Sequence, residues 1–252
     1  MALPVKLSAV RALLKEITVS AQAHKPLVVG GPPALADALR RELGVHGGDD
    51  PRGGAVYVHV WSGHDDESQL KRARRARVPI VALVPEDVDD VPYVLATDVV
   101  RLRPGRGFPI DALAKAIAGR LGEEGAPLAA RVPALRRAVA EQLIASFARK
   151  NGLVAAAVFI PGVDLPILVQ NELRLVLRLH QAYGHEPDPR ARLPEIGVTA
   201  AVGFGLRAVA RELLDLVPVA GWAVKGAVAY AGTRALGEAT LRRLELGAPG
   251  RH

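Results

Sequence analysis

The sequence predicts a small, mostly parallel α/β domain followed by an all-α region of Ala/Gly-rich helical hairpins. Three observations lead there. Between residues 25 and 122, short apolar runs alternate with helical periods, the pattern of a three-layer domain with a parallel sheet between helices. Half of the residues are hydrophobic but only 4% are aromatic. The core is therefore built from Ala, Val and Leu, as in helical bundles and parallel sheets rather than β-sandwiches. Beyond Asn151 the charges thin out and small residues recur, most densely in LLDLVPVAGWAVKGAVAYAGTRALG, Leu213 to Gly237. There Gly221, Gly226, Gly232, Gly237 and a series of alanines leave only Asp215, Lys225 and Arg234 charged. Faces of small residues let helices approach closely, in tight bundles or in lipid.

The length, 252 residues, suits one large domain or two ordinary ones. The divisions expected are an N-terminal helix (1–24), the α/β domain (25–122), a linker (123–132) and a helical domain (133–252). The chain has no cysteine, which excludes disulfides, thiolate catalysis, iron–sulfur clusters and Cys-based zinc sites and suits a reducing compartment. A net charge of +7 and a pI near 10.0 favour anionic partners, a lipid surface or nucleic acid. The bland alternative is the Arg- and Ala-rich usage of a GC-rich genome. The opening MALPVKLSAVRALLKEI spreads Lys6, Arg11 and Lys15 through its apolar residues, so no signal peptide is read there.

Taken in order, Pro4 to about Thr18 places Val5, Leu7, Val10, Leu13, Leu14 and Ile17 on one helical face, with Lys6, Arg11, Lys15 and Glu16 on the other; a docking or amphipathic helix follows. Leu27-Val28-Val29 is a strand, ended by Gly30-Gly31 and Pro32-Pro33. A helix with Leu35, Leu39 and Leu43 comes next, giving the strand–turn–helix that opens an α/β domain. Gly53 to Trp61 and Val78 to Val84 read as further strands, the second apolar throughout as a doubly covered parallel strand is. Val91 to Val100 reads as another strand and Asp111 to Leu121 as a helix. Pro133 to Lys150 is an amphipathic helix. GLVAAAVFIPGVDLPILVQ, with Asp164 alone charged, is broken or kinked by Pro161 and Pro166. NELRLVLRLHQAYG is a helix ending at Gly184. Glu195 to Leu214 and Val219 to about Leu246 complete the helices, with Pro218 between them.

The chemistry-bearing candidates are few. Gly30 and Gly31 are the weak candidates for a ligand site, in the crevice where an open parallel sheet places one. A phosphate loop needs a longer glycine-rich turn closed by Lys and Ser or Thr. Here Pro32 and Pro33 remove two of the backbone N–H donors that would cradle phosphate, so a plain tight turn is expected. His59, His64, Asp65 and Asp66 have no metal-ligand spacing; a polar loop with a helix N-cap at Asp65/Asp66 accounts for them. Lys71, Arg72, Arg74, Arg75 and Arg77 form the most basic patch, without the interleaved aromatics that stack bases. It reads as a solvated helix face, with an acidic partner or anionic lipid next and nucleic acid disfavoured. Acid–base candidates of the second half such as Asp164, His180 and His185 lie on different elements without a shared spacing. No metal and no cofactor is expected.

The order of elements in the first half resembles a bacterial GTPase domain of the Era/EngA-like kind. VPIVALVPED stands where such domains carry the guanine-reading Asn-Lys-x-Asp, and VPYVLATDVVRLRPGRGFPIDALAKAIAGRL is similar to their closing strand, loop and last helix. Pro85-Glu86-Asp87 replaces the guanine motif, and WSGHD follows GGAVYVHVW in place of the Asp-x-x-Gly switch. The resemblance implies a Rossmann-like scaffold without nucleotide machinery. In the second half, VDLPILVQNELRLVLRLHQAYG and LLDLVPVAGWAVKGAVAYAGTRALGEA resemble the YcjF-like, GTPase-associated domain of unknown function. The matching positions are Asp164, Pro166, Gln170, Leu173, Leu179, Tyr183 and Gly184, then Pro218, Gly221, Ala229, Thr233 and Gly237. This likeness implies an association with GTPase-like proteins and with membranes, and no reaction.

Three readings follow. The first is a non-catalytic, membrane-associated protein facing the cytoplasm, its pseudo-GTPase domain binding an unidentified protein partner. The positive flanks Arg149/Lys150 and Arg242/Arg243 favour it. Asp164, Glu195, Arg207, Arg211, Asp215 and Lys225 interrupt every candidate span, at about 2.5–3.5 kcal/mol each on insertion scales. The second is a soluble cytoplasmic adaptor or homo-oligomer, whose helical bundle keeps pairs such as Arg174/Arg178 and Arg207/Arg211 on solvated faces. The third is a small-molecule or nucleotide-binding switch.

Overall fold

The computed structural model describes residues 7–22, 25–63, 66–157, 165–185 and 221–247. In chain order the elements are α1 (Leu7–Gln22), β1 (Leu27–Gly30), α2 (Pro33–Leu43), β2 (Val56–Val60), α3 (Glu67–Arg75), β3 (Ile80–Pro85), β4 (Val99–Leu102), α4 (Ile110–Leu121), α5 (Gly125–Arg131), α6 (Arg136–Ala157), α7 (Leu165–Ala182) and α8 (Gly221–Gly247). They fall into two compact units, Ala23–Gln142 and Met1–Gln22 with Leu143–His252. The first is a four-stranded parallel sheet with flanking helices and the second is helical, so the α/β-plus-all-α expectation holds at that level. The expected segment boundaries differ in two respects. The N-terminal helix groups with the later helices, and the division falls inside α6.

In the α/β unit the strands lie in the order β1-β2-β3-β4, every neighbouring pair parallel. Val28 pairs with Tyr57, Val58 with Val81 and Leu83 with Val100. Spatial order repeats sequence order, so among the described residues the sheet has no reversal of strand order. Crevices for ligands in open α/β sheets form at such a reversal. All of β1 and β2 and nearly all of β3 are buried on both faces, which is why they read as unbroken apolar runs. Val28, Tyr57, Ile80, Ala82 and Val84 share one face with Leu70 and Ala73 of α3. α2 ends in a left-handed Gly44 whose N–H returns to Arg41 while Val45 returns to Arg40, the Schellman arrangement that satisfies the last carbonyls.

Two expectations for this unit are corrected. The strand expected over Val91–Val100 is confined to Val99–Leu102. Pro92 has no N–H to give a ladder, Tyr93 sits at φ +67, and Ala96–Asp98 is a 3-10 turn; ahead of β4, Val91 still buries its side chain in the core. The expected linker is instead packed helix: a 3-10 turn at Gly122–Glu124 leads into α5, which buries Gly125, Ala126, Leu128 and Ala129.

The helical unit contains α1, the rest of α6, α7 and α8. Leu13 and Ile17 of α1 pack on Leu177, with Leu173 alongside. α7 begins at Leu165, so Pro166 lies in its first turn, where a missing N–H costs nothing. It ends with Gly184 at φ +78; Gly184 and His185 donate to the carbonyls of Gln181 and His180, again a Schellman end. Among the described residues no helix is long and apolar enough to cross a membrane. The helix expected over Glu195–Leu214, with Arg207 and Arg211, and the positions Pro161, Asp164, Asp215 and Pro218 lie outside the described residues.

Candidate functional site

The carboxyl ends of β1 and β2 gather most of the α/β unit's buried polar chemistry. Alternation along β2 puts Tyr57, His59 and Trp61 on one face, the face that α3 covers. Tyr57 and His59 are fully buried. The Tyr57 ring runs beneath the end of β1, and a Cβ on Gly30 would fall 1.9 Å from its hydroxyl oxygen. Gly31 stands at φ +115, and a Cβ there would lie 2.3 Å from the Val60 carbonyl oxygen. Both glycines are therefore required by close approach of the molecule's own groups. The turn enters α2 through Pro32 and Pro33 with no side-chain cap. At the tight turn expected there, Tyr57 and the β2 backbone lie directly against Gly30 and Gly31.

The Tyr57 hydroxyl donates to Gln69 Oε1 at 2.9 Å and lies 3.2 Å from His59 Nδ1. His59 Nε2 lies 3.4 Å from Asp66 Oδ2, without a well-aligned hydrogen bond. Burial pushes the imidazolium below the ordinary histidine range, and it outweighs the opposing pull of Asp66. Burial likewise holds the Tyr57 phenol protonated, with Asp49 acting in the same direction and Arg72 against it. Asp66 Oδ2 accepts from the Ser62 backbone N–H at 2.6 Å and from Ser62 Oγ at 2.8 Å. This corrects the N-cap expectation: Asp66 has helical φ and ψ and makes no cap bond to α3. Instead it fastens the start of α3 to the end of β2.

The structure thus brings His59 and Asp66 together, while His64 and Asp65 lie outside the described residues. Among the described residues no group of three His, Asp or Glu side chains could hold a metal. Ser62 and Gln69 were not legible as partners. The signal that could have found the network is Tyr57-x-His59-x-Trp61, three polar-tipped rings at strand spacing within an apolar run.

Lys71, Arg72, Arg74, Arg75 and Arg77 are all exposed, while Leu70 and Ala73 are fully buried. None of the five forms an ion pair with a described residue. Arg72 lies within Coulombic range of Asp50, whose carboxylate is already held by Arg52 at 2.7 Å. Cations in the last turn also suit the negative end of the helix dipole.

In the helical unit, Thr233 and Gly237 of the likeness positions stand in helix contacts, beside others that the likeness did not include. A Cβ on Gly226 would lie 3.0 Å from the Gly152 carbonyl oxygen, and one on Gly152 would lie 3.1 Å from that of Gly226. Gly237 abuts Ile144, at 2.6 Å from a Cβ built there, whereas Gly232 faces open space. Thr233 is fully buried, and its hydroxyl accepts from Asn151 Nδ2 at 2.9 Å rather than serving only its own turn. Asn151 Oδ1 accepts from Asn171 Nδ2 at 2.7 Å, so one polar clasp joins α6, α7 and α8. Tyr183 reaches Glu245 at 3.4 Å, and Gln170 is exposed. Gly221 opens α8. Arg174 and Arg178 do not lie on a solvated face as expected. Both pair with Glu16 of α1, and Arg178, 5% exposed, also donates to Ser20 at 2.8 Å and Gln181 at 2.9 Å. His180 and His185 stack edge to face, with ring centroids 5.8 Å apart, at the end of α7.

No protein-family model matches the chain, and no curated protein or solved structure matches it.

Proposed function

We propose that this is a non-catalytic, membrane-associated protein whose α/β unit is a GTPase-like scaffold without nucleotide machinery that binds a protein partner. The observation that carries the non-catalytic part is the filled β1–α2 turn. Tyr57 and the Val60 carbonyl occupy the space beside Gly30 and Gly31, and two prolines follow where phosphate-binding N–H groups would stand. The histidine nearest to it is buried between Tyr57 and Asp66 and reaches no open surface. Membrane association draws on the apolar stretch around residues 152–170. At its described ends, Leu153 is 71% and Ile167 48% exposed, beside the exposed Arg149 and Lys150. Large apolar side chains presented next to cations suit a bilayer interface.

Fractionation of cells expressing the full chain tests this reading. The protein should sediment with membranes and leave them on washing with salt or alkaline carbonate. Recovery wholly in the soluble fraction would overturn it. A soluble adaptor is the second reading, favoured by one observation: the clasp of Asn151, Asn171 and Thr233 and the Arg178–Glu16 pair give the helical unit a hydrogen-bonded polar interior of its own.

A further inference from the structure

We infer that the outer face of α3 is an electrostatic docking surface for an anionic membrane, the contact by which the α/β unit meets the bilayer; the inference rests on the membrane-association reading above. The face is set by helical geometry. Leu70 and Ala73 point into the sheet, and at about 100° per residue Lys71, Arg72 and Arg75 sweep the opposite arc while Arg74 flanks it on the Leu70 side. Arg77 extends the same run past the helix end, in a left-handed conformation at φ +57. All five side chains are exposed and none has a carboxylate partner among the described residues.

The chemistry of the face selects its occupant. A stable protein interface needs buried aromatic or aliphatic anchors within a polar rim. The exposed arc of α3 offers none, since its residues are Glu67, Ser68, Lys71, Arg72, Arg74 and Arg75. Single-stranded nucleic acid would need stacking platforms, which are equally missing from the arc. A sheet of anionic headgroups needs only a cluster of Lys and Arg held at its surface. The face is also held firmly: Leu70 and Ala73 seat the helix and Asp66, through Ser62, fixes its first turn to β2. The cations are thus presented together without each binding event having to order the helix.

Co-sedimentation of the full chain with vesicles tests the assignment. Phosphatidylcholine vesicles with and without phosphatidylserine are compared, at about 0.1 M and about 0.5 M salt, where screening differs strongly. The chain should bind the serine-containing vesicles more tightly, and salt should weaken that binding. The triple change Lys71→Gln/Arg74→Gln/Arg75→Gln should weaken it about 100-fold, about fivefold per cation. A control of equal net charge, Arg41→Gln/Arg106→Gln/Lys115→Gln, should change it much less. Equal losses in the two triple variants would overturn the assignment to α3, as would salt-insensitive binding to both vesicle types, although the latter leaves membrane association standing through the apolar helix ends. Binding to polyglutamate but to no vesicle would overturn the membrane reading itself and assign the face to an acidic protein. Far-UV circular dichroism of both variants checks that the fold is retained.

Discussion

The two units use glycine against opposite partners. In the α/β unit Gly30 and Gly31 make room for a tyrosine hydroxyl and a carbonyl oxygen from the next strand. In the helical unit Gly152 and Gly226 make room for each other's backbone, and Gly237 for Ile144. The buried polar groups differ in the same way. The Tyr57–His59–Asp66 set closes off the end of a sheet, and the Asn151–Asn171–Thr233 set ties three helices together. A glycine-rich turn after a parallel strand is thus no measure of an open ligand site, because the residue that fills it arrives from another strand. On α8 a glycine marks a close helix contact at Gly226 and Gly237 but not at Gly232, so small-residue spacing narrows the contact face without fixing each position.

The largest effect is expected at Gly30. Gly30→Ala must displace a buried ring and with it the bonds to Gln69 and His59, at a cost of about 3–5 kcal/mol from overpacking and lost hydrogen bonds together. Urea unfolding reads this. A loss under about 1 kcal/mol would mean that Tyr57 swings aside and that the turn can open. In the helical unit Asn151→Ala leaves Asn171 and Thr233 unpaired in a buried site and should cost about 2 kcal/mol, while the combined Asn151→Leu/Asn171→Leu/Thr233→Val should recover most of it. The glycines of α8 then separate by position. Gly226→Ala should cost about 1 kcal/mol or more, as it meets a backbone oxygen that cannot give way. Gly232→Ala, in open space, should gain about 0.5–1 kcal/mol through helix propensity. Matching signs for the two would remove the helix contact from the account.

The smallest effect is one of pH. The folded state depresses the His59 pKa, so the unfolded chain binds the extra proton. The stability this group contributes is complete above the ordinary histidine pKa, about 6.5, and is lost as pH falls toward the lower folded value. His59→Gln should flatten the acid limb of stability against pH by at most about 1.4 kcal/mol per pH unit. An unchanged slope would place the titrating group elsewhere.

How far the sequence could be read follows from the range of each interaction. β1, α2, β2, β3 and α4 were legible because periodicity and turn residues are local signals. β4 began later than its apolar content suggested because Pro92 and a left-handed Tyr93 break the ladder. The linker was missed because Ala-rich α5 gains its stability from burial and carries little amphipathic pattern of its own. α1 was legible as a docking helix, but its dock was not, since Glu16 meets Arg174 and Arg178 across more than half of the chain. At the candidate site, Gly30, Gly31 and the two prolines could be seen to be unsuited to phosphate. That Tyr57 fills the space could not, because strand order and register decide it.

A β1–α2 turn closed by the chain itself leaves the α/β unit no place there for a nucleotide. Titration of the full chain with fluorescent GTP and ATP analogues in the presence of Mg²⁺ tests it most directly. No saturable binding is expected up to about 1 mM, an affinity no stronger than about −4 kcal/mol. Saturable, Mg²⁺-dependent binding at micromolar concentration, lost in Gly30→Ala, would contradict it.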